Sequence, residues 1–187
     1  MQQLSTRSIV RSLGAIGLAG VLTLAPRASR AQAPAPRAAL DDPTIVAIFD
    51  AANSWDMETG EIGARKATTK ALRDFAAQLV RDHRAVRQQG RDLAAKLGVT
   101  PTPPAAFAMA KDHARAVREL EAASGKSFDR AFLVNEVQFH KAVIDAVNQT
   151  LLPSLHNEQV KHLVTQVAPA FQAHMQMAQH MLDQLGN

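Results

Sequence analysis

The chain of 187 residues carries 21 Lys and Arg against 17 Asp and Glu, a formal charge of +4 at pH 7, and no cysteine. The missing thiols exclude disulfides, thiolate ligands and a cysteine nucleophile. The basic excess sits at the N-terminus: Arg7, Arg11, Arg27 and Arg30 lie in the first 31 residues with no acid among them, and without them 17 basic residues face 17 acidic ones, which removes the footprint of a nucleic-acid binder.

Residues 1–31 read as a secretory signal peptide. Arg7 and Arg11 form its basic start, and Leu13 to Ala25 an apolar run interrupted by Gly14, Gly17 and Gly20. Cleavage after Ala31 puts Ser29 and Ala31 at the two small positions. The apolar run falls short of the roughly 20 residues of a membrane span. Residues 32–41 are rich in Pro and Ala and read as a linker. Residues 42–187 are then one domain, large enough for its own core, and the expected mature chain has no transmembrane segment.

The first helix is expected to open with Asp42 as cap and Pro43 in its first turn. It presents Ile45, Ile48, Ala52, Trp55, Thr59 and Ile62 on one face and ends near Thr68. A second helix follows from about Thr69 to Leu97, stopped by Gly98. Pro101, Pro103 and Pro104 break the chain. A short amphipathic helix spans about Ala106 to Ala123 and ends at Ser124-Gly125. Ser127 caps the third long helix, Phe128 to Leu151, which Pro153 closes. Asn157 caps the fourth, which runs to Leu185 with a kink expected at Pro169. No window alternates with the period of a strand. The fold class is all-α: a four-helix bundle with a short extra helix between the second and third long helices.

Three histidines occupy seam positions. His83 lies in Leu72, Ala76, Leu79, His83, Val86, Gly90; His140 in Leu133, Val137, His140, Ile144; His174 in Val167, Phe171, His174, Ala178, Met181. Steps of three and four mark the buried stripe of a packed helix. A buried imidazole needs a hydrogen-bond partner or a metal.

Several phrases resemble one family. They are Trp55-Asp56-Met57-Glu58-Thr59-Gly60; Leu79-Val80-Arg81-Asp82-His83; Ser124-Gly125-Lys126-Ser127-Phe128-Asp129, followed by Phe132 and His140; and Pro169-Ala170-Phe171-Gln172-Ala173-His174. In order and spacing they resemble the exported bacterial family called domain of unknown function 4142, over roughly residues 43–185. The resemblance implies a ferritin-like bundle and a cell-envelope location, periplasmic or associated with the outer membrane, and no established activity. Thr59 stands where the family usually has an aliphatic residue and Phe132 where it often has tyrosine; neither position is expected to touch a candidate ligand.

The sharpest chemical expectation is a metal site in the bundle core, with His83, His140 and His174 as nitrogen ligands, Glu58 as first carboxylate and Glu136 as a second. Such a shell suits zinc, iron or manganese. Copper draws weaker support from Met175, Met177 and Met181 around His174 and His180. A rise of 1.5 Å per residue puts Glu58 and His83 roughly 7 Å apart in height, Glu136 and His174 roughly 3 Å, and His140 and His174 roughly 9 Å, for turns near residues 68 and 154. A di-iron centre of ferritin type needs Glu-x-x-His on two helices; here Glu136 and His140 are four apart and no glutamate precedes His83. The alternative is a structural or protein-interaction module of the envelope, without metal, in which the histidines bond to Asp82, Asp129, Asn135, Gln138 or backbone. His113, His156, His162 and His180 are expected in solvent, as is the Arg-rich face of the second helix. No phosphate loop or nucleophile motif points to an enzyme.

Overall fold

The structure is a computed structural model that describes residues 40–104 and 108–186. The expected signal peptide, and the linker up to residue 39, lie outside the described residues. Asp41, not Asp42, caps the first helix: its carboxylate accepts from the Thr44 amide at 2.9 Å. Asp42 is the first residue of α1 (Asp42–Lys66) and points elsewhere. Its two oxygens accept from the His156 and Asn157 amides at 2.9 Å each, tying the start of α1 to the last turn of the bundle.

Thr69 caps α2 (Lys70–Leu97) by accepting from the Leu72 amide. Gly98 ends it at φ 65°, the left-handed conformation that glycine adopts at no steric cost. The short α3 spans Ala108–Ala122. The next helix starts earlier than expected: Ser124 precedes α4 (Gly125–Ala146), and the Ser127 hydroxyl donates back to the Ser124 carbonyl instead of capping. The helix continues through a π turn, Val147–Leu151, into the single turn α5 (Leu152–Ser154). Asn157 then caps α6 (Glu158–Leu185), accepting from the Gln159 and Val160 amides. The helix runs through Pro169.

Among the described residues there is no strand, and the architecture is a ferritin-like four-helix bundle of α1, α2, α4 and α6 with α3 as the extra helix. The α1–α2 and α4–α6 pairs form two hairpins. No described helix is long and apolar enough to cross a membrane.

The core is layered. One apolar cluster holds Ile45, Phe49, Val86, Leu151, Val164 and Phe171, and the other Ile62, Leu79, Leu120, Phe128, Phe132 and Ala178. On every long helix the residues between the two clusters are polar and buried: Asn53, Asp56 and Thr59 on α1, His83 on α2, Glu136 and His140 on α4, and His174 on α6. The order of the layers reverses from α1 to α2 and from α4 to α6, as antiparallel hairpins require.

Two glycines let the helices close around this layer. A Cβ on Gly63 would come within 2.7 Å of the Phe132 ring and 2.9 Å of the Ala76 Cβ. One on Gly60 would meet Val80 at 2.9 Å. The turn between α1 and α2 is tied to α4 by the buried Asp129, which accepts from both the amide and the hydroxyl of Thr68.

Candidate metal centre

Helix α1 buries Ile45, Thr59 and Ile62 of the expected face, but its inward stripe is rotated from the expected one. Its inward stripe is Ile45, Phe49, Asn53, Asp56, Gly60 and Gly63, again in steps of four and three. Read by hydropathy alone, Asn53, Asp56 and the glycines look like an outer face, and that choice rotated the expected stripe by about one position. Asp56 is therefore the α1 carboxylate in the core, 1% exposed. Glu58, two residues on, lies about 200° around the helix. Its side chain is 55% exposed and holds His113 Nε2 at 2.8 Å, outside the buried layer. His113 is not in free solvent as expected: its ring stacks on Trp55 with centroids 5.3 Å apart.

The three seam histidines meet. Ring centroids are 5.5 Å apart for His83 and His140, 5.2 Å for His83 and His174, and 5.4 Å for His140 and His174. The expected height gap of roughly 9 Å between His140 and His174 was wrong because the turn sits at Leu155–Asn157, not at residue 154. A turn centred near residue 156 leaves a difference of about 3 Å at 1.5 Å per residue.

Each imidazole is oriented by a separate group behind it. Asn53 donates from Nδ2 to the Phe49 carbonyl at 2.8 Å, so its Oδ1, 2.9 Å from His83 Nδ1, is the acceptor of an Nδ1–H. His140 Nδ1 donates to the Glu136 carbonyl at 2.9 Å. His174 Nε2 donates to the Asp82 carboxylate at 3.0 Å. These bonds set the tautomers. They leave a lone pair on His83 Nε2, His140 Nε2 and His174 Nδ1, and none of these three buried atoms has a hydrogen-bond partner among the described residues.

Asp56 faces the same space. Its Oδ1 lies 3.5 Å from His83 Nε2 and its Oδ2 3.5 Å from His140 Nε2, and neither oxygen has a hydrogen-bond partner. At 3.5 Å a protonated Asp56 makes no proper O–H···N bond to either ring. Glu136, 0% exposed, sits beside them. Its Oε1 is reached by the Thr59 hydroxyl at 3.1 Å and by Asn135 Nδ2 at 3.3 Å, while Oε2 lies 3.7 Å from His140 Nδ1 without a hydrogen bond. Thr59, expected to touch no candidate ligand, therefore holds Glu136.

Burial sets the electrostatics. It raises Asp56 to about 8. Burial, then the neighbouring Asp56 charge, raises Glu136 to about 8. Burial, then the charges of His140 and His174, pushes His83 down to about 2. Burial likewise lowers His140 and His174, outweighing the opposite pull of Glu136 and Asp82. At neutral pH a cation would meet neutral imidazoles and protonated carboxyl groups, which give up their protons to bind it.

Two sets of atoms could hold a metal ion: His83, His140 and His174, and Asp56, Glu136 and His140, each with ligand atoms within 4.8 Å of one another. Ligands on one zinc-like ion at about 2.0–2.1 Å lie at most about 4.2 Å apart, so small side-chain movements close the set. His140 has one lone pair, because its Nδ1 proton is given to the Glu136 carbonyl. The two sets therefore describe one centre, not two. Of the methionines near His174, Met177 is 47% exposed and lies outside it. The Arg-rich face of α2 is also less bland than expected, since Arg87 and Arg91 clamp Asp50 of α1.

Sequence reasoning missed Asp56 and Asn53. The available signal was the unbroken four-three stepping from Phe49 through Gly63.

The sequence matches the family described as "Domain of unknown function (DUF4142)" over residues 27–181. No curated protein matches the chain. A similar solved structure is "Crystal structure of DUF305 fragment from Deinococcus radiodurans", with a TM-score of 0.65 and 15% identity, covering 76% of this chain and 95% of that one. At that identity the likeness shows the fold.

Proposed function

The chain belongs to the DUF4142 family, and we propose that its bundle core binds one divalent transition-metal ion through His83 Nε2, His140 Nε2, His174 Nδ1 and the Asp56 carboxylate. Glu136 is the second buried carboxylate of the site, behind His140. The observation that carries this reading is the convergence of lone pairs. Among the described residues, six buried side-chain atoms lack hydrogen-bond partners, and all belong to these five residues. At about 1–3 kcal/mol for each unsatisfied buried group, six cost at least about 6 kcal/mol, comparable to the whole stability of a domain. One cation in their midst offsets that cost. The outer bonds from Asn53, the Glu136 carbonyl and Asp82 fit the same reading, since metal-bound histidines give their other N–H to such groups.

Three imidazoles and a carboxylate suit zinc, iron or manganese, and the absence of a thioether in the set argues against copper(I). The bound ion would supply a Lewis acid or redox centre. The chain's own part is to orient three rings, hold one carboxylate against them and exclude bulk water. On this reading the protein is a metal-binding envelope protein, with residues 1–31 as its leader and the periplasm as its location. N-terminal sequencing of the exported form tests the leader, with Gln32 expected first.

Metal analysis of untagged protein tests the site. We expect one ion per chain in the wild type and in Glu58→Gln, and a loss in His83→Ala and Asp56→Asn. Protein that retains no zinc, manganese, iron or copper after loading and dialysis would sink the proposal. The second reading, a packing module in which the histidines only fix the register of the helices, is favoured by their separate outer partners. It predicts that added metal leaves the melting temperature unchanged.

A further inference from the structure

One cavity adjoins the histidine layer and plays no part in the ligand set. Its volume is about 30 Å3, roughly twice the space one water needs. Its apolar walls include Ile48 and Ala52 of α1, Met109 of α3, Phe139, Val143 and Ala146 of α4, and Phe171 of α6. Val147 and Leu151, the first and last residues of the π turn, also face it, so this irregular segment of helix forms part of the wall. Such turns recur at functional sites because they displace side chains from regular helical positions. The polar residues of the lining are Asn53, His83 and His140.

Those three are largely engaged with one another and with backbone. Asn53 gives one of its two amide protons to the Phe49 carbonyl, and the Nδ1 protons of His83 and His140 go to Asn53 and to the Glu136 carbonyl. The Nε2 atoms of both rings face the Asp56 carboxyl in the histidine layer, and the rest of the lining is apolar. A buried water makes two to four hydrogen bonds, and dry cavities are the apolar ones. This wall therefore disfavours water and favours an apolar guest.

We infer that the cavity is a binding site for a small uncharged molecule of two heavy atoms, the chemical class of dioxygen and nitric oxide, held against His83 and His140. Its placement beside an ion rests on the metal reading above; the cavity itself does not. The site would admit such a molecule to the centre and turn away bulky or charged ones.

Xenon tests the cavity without any metal. In the chelated protein, xenon pressure should give saturable NMR shifts at the Ala52, Val143 and Val147 methyls and at the His83 and His140 rings. Ala146→Leu and Ala52→Leu fill the space, and a variant that keeps its cooperative melting should lose those shifts. No saturable shift in the wild type, or the same shift in a folded variant, would overturn the inference. A second arm uses nitric oxide on protein loaded with ferrous iron. We expect a half-integer-spin iron–nitrosyl signal in the wild type and its loss in Ala146→Leu at unchanged iron content. An undiminished signal in the variant would overturn the route through the cavity. Xenon shifts in a chain that takes up no zinc, manganese, iron or copper on loading would sink the metal reading and the placement beside an ion, and leave the cavity site standing.

Discussion

Asn53 and Asp82 touch no ion in the proposed site, yet they decide which nitrogen of His83 and His174 faces inward. Removing such a group costs about 10–100-fold in metal affinity. We expect Asn53→Leu to fall in that range, read by competition with a chelating dye. The change should lie in affinity, with the stoichiometry unchanged. The buried carboxylates predict a pH dependence. Asp56 and Glu136, both raised to about 8, bind protons in the folded metal-free chain that the unfolded chain has already lost above about pH 4. Their contribution to stability therefore falls as pH rises from about 4 to about 8. The three histidines are held below their ordinary 6.5, so they oppose folding increasingly as pH drops below that value. Above 6.5 the acids act alone, so the cluster's contribution should fall from about pH 6.5 to about pH 8 in chelated protein. Denaturant unfolding at pH 5, 6.5 and 8 checks this, and Asp56→Asn should weaken the decline on the alkaline side. Metal uptake at pH 7 should release protons, counted by calorimetry in buffers of different ionisation enthalpy.

At the scale of the helices, the site depends on how closely α1 approaches α2 and α4. Gly63 is the tightest point, where an added Cβ would press on Phe132 at 2.7 Å. Overpacking of this kind costs about 1–3 kcal/mol. Gly63→Ala should therefore lower the melting temperature in thermal denaturation and weaken metal binding, since α1 carries Asp56 one layer away. The helices themselves were largely legible in the sequence. The stop at Gly98, the cap at Asn157 and the breaks at the prolines act within one turn of chain. The misplacements had the same local scale: Asp41 outcompeted Asp42 for the Thr44 amide, and Ser124 preceded the helix that Ser127 was expected to cap. The rotation of α1 was harder to see. Its inward stripe contains an asparagine, an aspartate and two glycines, residues that hydropathy assigns to the surface.

For the whole molecule, an ion that binds the folded state alone stabilises it by mass action. At a free metal concentration 100 times the dissociation constant the gain is about 2.7 kcal/mol. For a chain of this size, about 2–4 °C per kcal/mol gives a rise in melting temperature of roughly 5–11 °C. Scanning calorimetry with and without metal checks it, and an unchanged transition would favour the packing reading. What the sequence determined by itself is the all-α class, the order of the helices and the burial of His83, His140 and His174, because helical periodicity and caps are written within a few residues. What only the tertiary structure decided is the carboxylate, the common level and the tautomers. Asp56 rather than Glu58 enters the core because of the rotation of α1 about its axis, and His140 reaches His174 because of where the second hairpin turns. Each of these is a relation between helices, in which one residue of register moves a side chain by 100° or 1.5 Å, and no single helix encodes it.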